Sequence, residues 1–319
     1  MDLFTHLIFG VLMYNLFLKE ITFNFLIYAS IFAVLPDLDV FLSPLRRIFK
    51  SNYLEHRSGS HSYVIGGIIS AIIGGIYSIL TQQSFFIVWI IGTIFYGIHI
   101  SLDLLTTTKI PCFYPISKKE YCFYVEKAGS SFTFLTSIAL ITTILILFEA
   151  FQNITLIFII INIYTYFIIS YYIYRILIKI WISSHLTKDQ KYLPGVLPFY
   201  YYIFEEEIEN GAFSLRIEKK SHLFKEKIVY KNNENLSSLE MNLFERGSEL
   251  CLKDYYYAKW TILPIFYRNN EVFSMRFFFL EPMVHSRAMY IQYDFNVKTQ
   301  ELIASNQSFG RFNKEFKSK

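Results

Sequence analysis

An α-helical polytopic membrane domain followed by a small, soluble, antiparallel β-rich domain is the architecture this 319-residue sequence predicts. Three observations predict it. Four apolar stretches are each long enough to cross a bilayer, the density of charged residues roughly doubles near Pro194, and beyond that point bulky residues alternate with polar ones. The boundary is set at the charge shift, giving a membrane-embedded domain over residues 1–193 and a soluble β-rich domain over 194–319.

The four long stretches are Tyr63–Leu80, Phe85–Leu105, Ser131–Phe151 and Thr155–Tyr174, against the roughly 20 apolar residues that a spanning helix needs. Two earlier runs, Leu3–Leu18 and Ile21–Pro36, are shorter and read either as thin spans or as a re-entrant hairpin. In both readings the turn at Lys19-Glu20 reverses the chain, so residues 1–6 and 36–39 share one side. An acidic Asp2, with no basic segment before the apolar run and no small-residue cleavage site after it, argues against a removed signal peptide.

Basic residues orient the spans. Arg46, Arg47, Lys50 and Arg57 follow the second run, Lys109, Lys118, Lys119 and Lys127 follow the fourth, and Arg175, Lys179, Lys188 and Lys191 end the sixth. The opposite turns near residues 81–84 and 152–154 carry none, and Lys19 is the exception. The positive side is expected to be cytoplasmic, and with it the C-terminal domain of a multi-pass inner (cytoplasmic) membrane protein.

Past Gly195 the period changes to two. Ala212–Ile217, Val272–Phe279 and Ala288–Phe295 read as strands, with turns expected at Asn210-Gly211 and at Asn232-Asn233. There is no internal repeat, and the Lys-rich end after Arg311 reads as a frayed tail. The net charge of +4 is spread over both parts, and no Arg-rich face suggests a nucleic-acid partner. Cys112, Cys122 and Cys251 form no CxxC pair and are expected to be free thiols.

The chemistry gathers in the first third of the chain. His6, Asp37, Asp39, His56, His61, His99 and Asp103 interrupt or border the apolar segments, and all fall at one membrane face. Ionisable groups at such depth are costly and are seldom kept without a role. His99 and Asp103 are spaced i,i+4 on one span and so share a helix face. They can ligate one divalent ion, Asp103 can bridge two, or Asp103 can simply orient His99. Pro36 ends the preceding helix, and alternation in an extended segment would turn Asp37 and Asp39 to the same side, where a cation would relieve their repulsion.

His56 and His61 flank a Gly-Ser turn that can fold both imidazoles toward one centre. The guanidinium of Arg57 matches phosphate or carboxylate, or else serves as a positive-side anchor, while Ser60 or Ser62 can cap the helix that follows. His6 is a ligand candidate through its depth beside Asp37, whereas His185, His222 and His285 lie outside the cluster.

Thr5-His6, Pro36-Asp37-Leu38-Asp39, His56-Arg57-Ser58-Gly59-Ser60-His61-Ser62 and His99-Ile100-Ser101-Leu102-Asp103, with Tyr114-Pro115 beyond, follow one another in the order of a known pattern. Over residues 1 to about 130 the chain resembles the membrane-bound metal-dependent hydrolases of the YdjM-like, LexA-regulated inner-membrane type. It departs from them at Ser58, where Gly is usual, at Ser60, which replaces Thr, and at Val40, where many members have His.

The resemblance implies a hydrolase with a divalent-metal cofactor. His6, Asp37, His56, His61, His99 and Asp103 are its expected ligands, in a centre of one or two ions. Zinc suits the His-rich set best, and manganese or iron also accepts it. Asp39 is expected to be the general base or a bridging carboxylate, and Arg57 to hold an anionic group. A site at headgroup depth implies a membrane lipid or other amphiphilic ester as substrate. Two other classes remain open, a metal-ion carrier or sensor and a non-catalytic anchor with a structural metal. The nearly all-apolar far halves of the spans argue against a conduction path.

Overall fold

A computed structural model describes residues 2–17, 23–42, 57–209, 212–221, 226–253, 257–269, 271–284 and 287–312. The chain divides into two compact units, Met1–Leu177 and Ile178–Lys319.

The first unit is helical: α1 (Leu3–Phe17), α2 (Phe23–Val34), a 3-10 helix (Leu35–Leu42), α3 (Tyr63–Thr81), α4 (Phe85–Leu104) and α5 (Ser131–Phe151). Its last element, α6 (Ile154–Ser183), runs on past Leu177. Among the described residues five segments are long and apolar enough to cross a membrane: Asn24–Phe41, Tyr63–Thr81, Phe85–Leu104, Ser131–Phe151 and Ile154–Ser183. The second apolar run is thus longer than the sequence suggested, because the 3-10 helix extends α2 past Pro36. Helix α1, with 15 residues, reaches about 22 Å at about 1.5 Å per residue, short of a hydrocarbon core of about 30 Å.

The outward faces are apolar. On α3, Ile68, Ile72, Ile76 and Ile79 lie exposed one turn apart, with Ile79 at 81%, which is the surface that lipid rather than water accommodates. The inward face of α3 carries Gly66, Ser70 and Gly74, all buried, so that α4 approaches closely. At Gly66 a Cβ would stand 2.4 Å from the Tyr96 ring, so only glycine admits that ring. Tyr28, Phe32, Phe95, Tyr96 and Ile100 fill the core among α2, α3 and α4. Ile8, Leu12, Leu102, Leu140, Ile168 and Tyr172 fill a second core where α1 meets α5 and α6.

The second unit holds β1 (Gln190–Pro194), β2 (Tyr200–Glu209), β3 (Ala212–Ser221), β4 (Lys227–Asn235), α7 (Ser238–Lys253), β5 (Ile262–Asn269), β6 (Val272–Phe279), β7 (Arg287–Asn296) and β8 (Leu302–Arg311). The strands make two four-stranded antiparallel sheets in sequential order. The expected strands are present, and Glu209 pairs with Ala212, bracketing Asn210 and Gly211, which lie outside the described residues. The expected turn at Asn232-Asn233 is not there. Both residues lie inside β4, paired with Leu215 and Ser214, because an edge strand satisfies its backbone on one side and leaves polar side chains to water.

Helix α7 was not anticipated either. Its start carries a reciprocal cap in which Ser237 Oγ accepts from Glu240 N at 3.3 Å and Glu240 Oε2 accepts from Ser237 N at 2.8 Å. That Ser-x-x-Glu spacing is a readable signal. Gly247 lets α7 settle on β6, since a Cβ there would stand 2.4 Å from Met275 Sδ. Leu243, Cys251, Phe213, Phe266, Phe273 and Phe277 share the resulting core. Among the described residues no disulfide joins Cys112, Cys122 and Cys251.

Candidate metal centre

Four separate segments deliver the polar side chains. Asp2 opens α1, its carboxylate accepting from Thr5 N at 2.9 Å and Thr5 Oγ1 at 2.6 Å, which fixes the turn that carries His6. The segment after Pro36 is not extended, as the alternation argument supposed, but a 3-10 helix. With about three residues per turn, positions i and i+2 diverge, and Asp37 and Asp39 meet opposite ring nitrogens of His61.

The turn before α3 is held by side chains. Asp39 Oδ2 accepts from Arg57 N at 3.1 Å and from Ser60 Oγ. Arg57 has a positive φ of 61°, and Tyr96 OH donates to Ser60 O at 2.7 Å. Ser62, not Ser60, caps α3, accepting from Val64 N at 3.2 Å while its hydroxyl donates to Tyr114 O.

These restraints bring five side chains together. His6 Nε2 lies 3.3 Å from Asp103 Oδ1 and 3.9 Å from Asp37 Oδ2. His61 Nε2 lies 3.3 Å from Asp103 Oδ2 and 3.6 Å from Asp37 Oδ1. His99 Nε2 lies 3.7 Å from Asp37 Oδ1, 4.0 Å from Asp103 Oδ2 and 3.3 Å from His61 Nε2. The rings of His6 and His99 stack with centroids 3.7 Å apart. One ligand atom from each of His6, Asp37, His99 and Asp103 lies within 4.8 Å of every other, and all four residues are buried.

The residues fit a divalent cation. Among the described residues neither nitrogen of His6 nor Asp37 Oδ1 has a hydrogen-bond partner, and a buried polar atom left so costs about 1–3 kcal/mol. The His99 and His61 nitrogens that face the cluster are also aimed from behind. His99 Nδ1 donates to Ala33 O at 2.8 Å, which leaves Nε2 facing the cluster. His61 Nδ1 lies 3.4 Å from Asp39 Oδ2, which sets Nε2 inward in the same way. Such outer partners are what orient metal-binding imidazoles. Burial alone would lower the pKa of His61, but hydrogen bonds to Asp103, Asp37 and Asp39 outweigh it and hold it at about 10. Three carboxylates here demand positive charge.

Asp39 and Arg57 flank these five side chains. Asp39 stands behind His61 rather than between ligands. Arg57 reaches the centre, but its guanidinium is engaged there, Nε 3.3 Å from Asp103 Oδ2 and Nη1 donating to Thr108 Oγ1 at 3.0 Å. His56 lies outside the described residues, as do His222 and His285, and His185 is exposed.

Sequence reasoning missed the buttress on the loop after α4. Thr106 Oγ1 donates to Asp103 O at 2.8 Å, closing the helix end beneath the Asp103 carboxylate. Glu126, buried in the same loop, takes Arg175 Nε at 3.2 Å and the Tyr171 hydroxyl. The signal was available, because Glu126 and Arg175 are opposite charges beside or within apolar segments that carry few others.

No curated protein and no solved structure matches the chain. Residues 1–177, which contain every described member of the cluster, match the model of the YdjM inner membrane protein. The chain belongs to the YdjM inner membrane protein family.

Proposed function

We propose that this protein is a membrane-bound, divalent-metal-dependent hydrolase that cleaves a phospholipid or another amphiphilic (phospho)ester at the cytoplasmic leaflet. The observation that carries this reading is the convergence of His6, Asp37, His99 and Asp103, with His61 3.3 Å from both His99 and Asp103, from four segments into one buried cluster containing orphaned polar atoms. Zinc is the favoured ion, with manganese or iron compatible with the same mixed donors.

A divalent ion held by such a set supplies Lewis-acid activation of water and of the scissile ester oxygen. The chain's own residues do the rest. The Ala33 carbonyl and Asp39 hold the His99 and His61 rings with Nε2 inward. Arg57 places a fixed positive charge beside Asp103, where it can meet an anionic group on the substrate. The apolar helices around the cluster limit the access of bulk water. Twelve of the thirteen basic residues before Pro194 fall on the ligand side of the spans, which supports a cytoplasmic placement for both the site and the C-terminal unit.

The test uses the detergent-purified full chain loaded with zinc or manganese and offered mixed micelles of anionic and zwitterionic phospholipids. Mass spectrometry then reads the release of headgroup or acyl products. Turnover that is abolished by a chelator and by His99→Ala is expected. Equal product release from wild type, His99→Ala and the chelated sample would reject the reading.

A further inference from the structure

Both oxygens of each cluster carboxylate are used, and they are used on opposite sides. Asp103 turns Oδ1 to His6 Nε2 at 3.3 Å, and Oδ2 to His61 Nε2 at 3.3 Å and His99 Nε2 at 4.0 Å. Asp37 repeats the division, with Oδ2 at 3.9 Å from His6 Nε2 and Oδ1 at 3.6 and 3.7 Å from His61 and His99. Two carboxylates thus separate one histidine from a pair. We infer that the cluster is a two-ion centre in which Asp37 and Asp103 are bridging carboxylates, His61 and His99 complete one position, and His6 anchors the other.

The distances carry the assignment. Tetrahedral ligands bonded at about 2.0–2.2 Å stand about 3.3–3.6 Å from one another. Around the first position, His61 Nε2 and His99 Nε2 stand 3.3 Å from each other and 3.3 to 4.0 Å from Asp37 Oδ1 and Asp103 Oδ2. Among the described residues that position has four protein ligands, the number that fills a tetrahedral site. The second position has His6 Nε2, Asp103 Oδ1 and Asp37 Oδ2, three protein ligands among the described residues, and three is the number that catalytic rather than structural zinc sites use.

Paired ions in hydrolytic centres stand about 3.5–4 Å apart, a span that a carboxylate bridges with its two oxygens. A single ion at the first position would leave His6 buried, with neither nitrogen hydrogen-bonded among the described residues. Two divalent ions set against Asp37, Asp39 and Asp103, with Arg57 alongside, would leave the centre positive. This matches an anionic phosphoester better than a neutral ester.

The inference rests on the metal-site reading above, and the test separates the two. The full-length protein in detergent is loaded with Mn(II), desalted, and measured by metal analysis and by electron paramagnetic resonance. Two ions per chain with an exchange-coupled spectrum are expected in wild type, and one ion with an uncoupled spectrum in His6→Ala. One ion per chain with an uncoupled spectrum in wild type overturns the two-ion centre while leaving a mononuclear hydrolase intact. A metal-free wild type overturns both. The wild-type spectrum decides the matter even if His6→Ala fails to fold.

Discussion

Tyr96 donates its hydroxyl to the carbonyl of Ser60 at 2.7 Å, tying the middle of α4 to the turn that presents His61. The ring reaches that position only because Gly66 on α3 leaves space for it. Packing between two apolar helices and the placement of His61 are therefore one arrangement. Gly66→Ala should cost about 1–3 kcal/mol through overpacking and weaken metal binding as well. Tyr96→Phe should keep the packing and lose only the bond, worth about 0.5–1.5 kcal/mol. Thermal unfolding in detergent, paired with metal titration, checks both, and an unchanged affinity in Gly66→Ala would break the link.

Asp39 acts on the centre through His61. Asp39→Asn should lower metal affinity by about 10–100-fold, the usual cost of losing an outer partner of a ligating histidine, while leaving the number of bound ions unchanged. Calorimetric titration with zinc reads both quantities. A loss of stoichiometry instead would place Asp39 among the ligands.

Glu126 and Arg175 form a buried pair joining the loop beyond α4 to α6. Removing one partner strands the other charge, so Glu126→Gln and Arg175→Met should each cost about 3–5 kcal/mol, and the double variant much less than their sum. Additive losses in thermal unfolding would mean that the pair is not coupled.

The sequence showed the helical and β-rich division, the main spans and most of the cluster, because periodicity and the rarity of polar residues in apolar helices are local signals. His99 and Asp103 were legible from i,i+4 spacing alone. What it did not show depended on contacts between distant segments. The split of Asp37 from Asp39 needed the 3-10 turn, the Ala33 carbonyl has no side-chain signature, and Arg57 meets Thr108 across 51 positions. Asn232 and Asn233 misled because turn preference gave way to pairing with β3. The Ser237–Glu240 cap was legible and went unread.

That cap carries a pH dependence. Burial raises the pKa of Glu240, but hydrogen bonding from Arg268, whose Nε stands 2.6 Å from Oε1, outweighs burial and holds it below its ordinary value. The pair therefore stabilises the second unit above the unfolded carboxyl pKa of about 4.3, and that stability is lost as pH falls through the lower folded value. Glu240→Gln should lower the urea midpoint of the soluble unit at neutral pH, and the gap from wild type should close in acid. A gap that is constant with pH, followed by circular dichroism, would contradict this.

The most direct test of the central claim is the metal content of the purified full chain beside His99→Ala and Asp103→Ala. The account predicts stoichiometric zinc or manganese in wild type and its loss in both variants while each stays folded. Well-folded wild-type protein that remains empty after reconstitution with divalent ions would contradict it.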